Sequence, residues 1–192
     1  MDDEQLAAQR QRLRENQVFL QLSPDRFAEI GHLTGTDSDG DGRGVSVADV
    51  TGDLQPDLVV RQAGGGALMV FANRFPEASR LVVSLRGTRS NTLGLGASLI
   101  AETESLPPIL RQIFPSHNFA ASQPALTSFG LGSSSRVERL TIRWPSGEVQ
   151  VLENVPTGLH IRVTEGVEKY EVLVDARKPD DGQTTPVARS GR

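Results

Sequence analysis

The chain has 192 residues, 37% of them hydrophobic and 23% charged, and no cysteine. It can bury one large or two small cores, but it excludes disulfides, thiolate nucleophiles and cysteine-ligated zinc. Net charge is −4 and unevenly spread: residues 1–79 hold 13 acids and 7 bases, residues 80–164 hold 5 acids and 8 bases. The acidic front suits divalent cations. The mildly basic middle suits an anionic partner but is too weak for nucleic acid. No apolar run approaches a membrane span, and the opening MDDEQLAAQRQRLREN lacks the apolar core of a signal peptide.

Nineteen glycines and eleven prolines favour turns over long helices. Residues 4–15, rich in Gln, Ala, Arg and Leu, predict a short helix with a thin apolar face of Leu6, Ala7 and Leu13. The period then changes. VFLQLS (18–23) predicts a strand, SPD a turn, and RFAEIG a second strand with Phe27 as a core anchor. GTDSDGDGRG (35–44) is a loop. VSVADV, DLVVRQA and ALMVFAN then predict three short strands of an antiparallel meander. RLVVSLRG, GLGASLIAETE, PPILRQIF and PALTSFGLG supply further strands.

The clearest local signal is RVERLTIRWPSGEVQVLENV. Val137, Leu140, Ile142 and Trp144 form one arm of a hairpin, PSG the turn, and Val149 and Val151 the other arm. GLHIRVTE closes the domain and VEKYEVLVD adds a strand. The polar stretch from about residue 176 reads as a disordered tail. The fold expectation is all-β: a helical segment over 1–15, a repeat region over 16–78, a small antiparallel β-sandwich-like domain over 79–165, and a terminal strand and tail over 166–192.

Two stretches carry a family likeness. GRGVSVADVTGDLQPDLVV, with the preceding NQVFLQLSPDRFAEIG, resembles the FG-GAP/VCBS repeat of β-propellers, in which an Asp-rich loop precedes a strand. LVVSLRGTRSNTLGLGASL followed by FGLGSSSRVERLTIRWPSGEVQVLENV resembles the ASPIC/UnbV domain found in cartilage acidic proteins and many bacterial proteins. The resemblance implies a partial propeller followed by a β-domain, calcium at the Asp loop, and an extracellular or cell-surface location. One blade cannot bury its own face or pair its own edges, so the chain reads as a C-terminal portion of a longer protein or as a short member whose residues 16–75 pack on the second domain or on another copy through open sheet edges.

By that resemblance, the oxygen ligands fall on Asp49, Thr51, Asp53 and Asp57, with the Gln55 carbonyl as a further donor. Calcium takes six to eight oxygens, and alternate residues of a tight loop can converge on it. Thr51 stands where the repeat has Asp or Asn, and Leu54 where it has Gly. If that position is left-handed, Leu costs on the order of 1–2 kcal/mol. In the alternative, Asp49 and Asp53 bond to neighbouring backbone N–H groups and keep the loop's shape without metal. Asp37, Asp39 and Asp41 of DSDGDG match the first half of an EF-hand loop but lack its second half, Ala48 standing where the closing Glu belongs.

His32, His117 and His160 have no metal-like spacing. Arg86, Arg89, Arg139 and Arg143 form a candidate anion-binding set; arginine suits bidentate recognition of carboxylate or sulfate. The alternative is ordinary strand charges paired with Glu138, Glu148 and Glu153. No nucleophile, base and orienting group can be assembled from the motifs. The functional expectation is therefore a non-enzymatic binding module, possible calcium included, with a protein or an anionic glycan as partner. The alternative is an accessory component of a biosynthetic or carbohydrate-active system, whose catalysis lies upstream or in a partner.

Overall fold

The computed structural model describes residues 16–38, 40–76, 78–116 and 121–177. The helix expected over 4–15 and the tail from 178 onward lie outside the described residues. The chain divides into two compact units: Met1–Pro76 with Phe114–Pro124, and Glu77–Ile113 with Ala125–Arg192. Regular structure is nearly all strand; the helix among the described residues is a single turn, α1 (Gly31–Thr34), ended by Gly35 at φ 69°.

In the first unit, β1 (Phe19–Ser23) and β2 (Arg26–Glu29) make an antiparallel hairpin. Phe27, expected as a core anchor, is 60% exposed. The register sets it opposite Gln21, while Ala28 opposite Leu20 takes the half-buried place. A period of two turns alternate residues to opposite faces, and this hairpin turns Phe27 outward. The expected meander is present as β3 (Gly42–Ala48), β4 (Asp57–Gln62) and β5 (Met69–Phe71), antiparallel in the order β3-β4-β5. No closed barrel or propeller is formed among the described residues. Ser46 Oγ donates to the Ser122 carbonyl at 2.8 Å, tying residues of the 114–124 segment to β3.

The second unit is a sandwich. One sheet has the order β11 (Val149–Pro156), β10 (Arg136–Arg143), β7 (Ser98–Glu102), β8 (Ile109–Gln112). The other has the order β13 (Glu171–Asp175), β12 (Leu159–Thr164), β6 (Arg80–Arg86), β9 (Leu126–Gly130). Their inner faces interdigitate through Leu81, Val83, Leu99, Phe129, Leu140, Ile142 and Ile161, all fully buried. One pairing differs from the expected antiparallel plan: β12 runs parallel to β6, Leu159 beside Leu81 through Thr164 beside Arg86. The reason lies at the short turn after β11. Gly158, at φ 76°, donates its N–H to the Arg80 carbonyl, so the chain enters the other sheet beside the start of β6 and runs along it.

The β10–β11 hairpin forms in the expected place. Val137, Leu140, Ile142 and Trp144 point inward. In the second arm the inward places fall to Gln150 and Leu152, paired with Ile142 and Leu140, whereas Val149 and Val151 face out. Leu140→Ala should therefore cost about 2–5 kcal/mol in chemical denaturation. Val151→Ala, one register position away on the outer face, should stay within about 0.5 kcal/mol. Equal losses would contradict this assignment of faces.

Candidate functional site

The loop before β4 has its carboxylates turned on the backbone. Asp49 Oδ1 accepts the N–H of Gly52 (2.6 Å) and Asp53 (3.2 Å), and its Oδ2 accepts that of Leu54 (2.8 Å). Asp53 Oδ1 accepts the Gln55 N–H at 2.7 Å. Asp57, fully buried, accepts Val50 N–H, Thr51 N–H and Thr51 Oγ1–H on Oδ2, and Asn73 N–H on Oδ1. Burial pushes the Asp57 pKa up, but the hydrogen bonds from Asn73, Val50 and Thr51 outweigh it and hold the carboxyl below its ordinary value.

The residues assigned to calcium by resemblance thus share one loop, with Asp49 and Asp57 oxygens taken up by N–H donors. Among the described residues no group of three carboxylates or imidazoles is gathered closely enough to hold a metal ion. In this conformation the carboxylates are engaged by the loop's own N–H groups, which hold the loop in shape. Leu54 is left-handed at φ 64° and only 4% exposed. Burial of its side chain compensates a backbone geometry that elsewhere in such loops falls to glycine.

The second acidic loop disperses its charges. Asp37 meets His32 at 3.1 Å and Asp41 pairs with Arg43 at 2.8 Å, while Asp39 lies outside the described residues. His160 Nε2 lies 3.2 Å from Ser84 Oγ, and His117 is outside the described residues. The arginine set falls in two places. Arg86 ends β6 and Arg89, in the turn after it, pairs with Glu148; Arg139 and Arg143 lie on the outer face of β10. Arg139 sits loosely between Glu102 (4.0 Å) and Glu153 (3.7 Å).

Sequence reasoning missed the most heavily bonded polar group of the second unit. Glu165, 2% exposed, follows the end of β12. Its Oε2 accepts the successive N–H groups of Thr88, Arg89 and Ser90, each at 2.8 Å. Its Oε1 accepts Ser90 Oγ–H (2.9 Å) and Ser146 Oγ–H (2.5 Å). Burial alone would raise its pKa; the five donors hold it far below the usual carboxylate range. The same turn is closed by Asn91, which exchanges two hydrogen bonds with Leu95. A Cβ on Gly87 would fall 2.2 Å from the Asn91 carbonyl oxygen, so only glycine fits there. The TRSN and PSG phrases are thus two parts of one cradle. A lone Glu beyond the quoted motifs offered no sequence signal of its own.

A second polar bridge backs the hairpin turn. Gln150 accepts from Trp144 Nε1 (3.1 Å) and donates to the Val167 carbonyl (2.6 Å). Trp144 is a buried core residue, not an open platform.

The outer face of the β11-β10-β7-β8 sheet is open and carries charged as well as apolar side chains. Val151, Thr141, Ile100 and Leu110 are cross-strand neighbours and so form one row over all four strands. Leu110 is 62% and Val151 45% exposed.

The family model for ASPIC and UnbV matches residues 87–169, a span that contains the Glu165 cradle, the hairpin and the open sheet face. No curated protein matches the chain.

Glu165→Gln should lower Tm by several degrees, since one acceptor becomes a donor facing donors. A depressed carboxylate stabilises the fold above its unfolded pKa, near 4.3, and that contribution fades as pH falls from there toward the folded value. Acid melts of the wild type should therefore fall more steeply below about pH 4.5 than those of Glu165→Gln. Parallel curves would count against the cradle. Leu54→Gly should cost roughly 1 kcal/mol, lost burial exceeding the relieved strain. Asp49→Ala should lower Tm equally in calcium and in chelator; a loss confined to calcium would show that the loop rearranges around the ion.

Proposed function

We propose that the chain is a non-enzymatic interaction module whose second unit offers the outer face of the β11-β10-β7-β8 sheet to a protein partner. The observation that carries this reading is the row Val151–Thr141–Ile100–Leu110, in which Val151 and Leu110 are exposed and Thr141 and Ile100 half-buried between them. It lies on a sheet whose other face is fully buried. Scattered exposed apolar residues are ordinary, but a contiguous row rimmed by charges is the usual form of a recognition surface. The buried Glu165 supports a structural rather than chemical role for the family motif, because protein donors already occupy both of its oxygens.

In the same reading the first unit is a blade of FG-GAP/VCBS type, supported by a three-stranded meander with an Asp loop before its middle strand. A place outside the cell or on its surface goes with that likeness. Among the described residues no helix is long and apolar enough to cross a membrane.

A photoreactive amino acid at position 110 tests the reading in extracts of cells that produce the protein. Covalent adducts are expected at 110 and not at the control position 25, exposed in the β1–β2 turn. Equal yields at both positions, or none at 110, would overturn the proposal.

A further inference from the structure

We draw no further inference here: the strongest candidate, the apolar groove of the first unit lined by Val18, Thr36 and the meander residues Val45, Leu58, Val60 and Phe71, carries nothing because no observation in the structure shows what covers it.

Discussion

The second unit depends on one carboxylate. Glu165 sits at the end of β12, and the groups it holds come from the turn that follows β6 and from the hairpin between β10 and β11. Those elements belong to different sheets, so a single buried charge pins one end of the sandwich. Hydrophobic contact alone packs sheets without fixing their ends, because it has no direction. Five hydrogen bonds to one ionised group have direction, and they cost little once the N–H groups of the turn already point together. The cradle also explains why TRSN and PSG stand so far apart in the chain: they are donors to one acceptor.

The first unit repeats the device at smaller scale. Asp57 gathers Val50, Thr51 and Asn73, and Asp49 caps Gly52, Asp53 and Leu54. Backbone N–H dipoles supply these carboxylates with positive charge from within the chain. This is how a loop of metal-binding pattern keeps its shape with Thr51 and Leu54 at positions that such loops usually reserve for other residues. Leu54 makes the exchange explicit, since a left-handed leucine is tolerable only where its side chain is buried.

With Glu165 committed to structure, the face of the second unit that the proposed function draws on is the open side of the β11-β10-β7-β8 sheet. Its inner face is saturated with Leu, Ile and Val contacts. Its outer face combines an apolar row with charges that its own strands only partly pair. Ordinary strand charge explains Arg139.

By itself, the sequence determined the all-β character, the meander of the first unit and the β10–β11 hairpin, because period-two alternation and turn residues are local properties; the ASPIC/UnbV stretch was legible by resemblance of its motifs. It also named both possible fates of Asp49 and Asp53. Only the tertiary structure decided which residues meet across the chain. It put Phe27 outside and Gln150 inside, ran β12 parallel to β6, and brought Glu165 under Thr88–Ser90 across more than seventy residues. Each of these depends on pairing register or on a distant donor, and neither is written in the spacing of neighbouring residues. A one-residue shift in register exchanges the faces of a strand, and a buried carboxylate is recognised only when its donors have been folded around it.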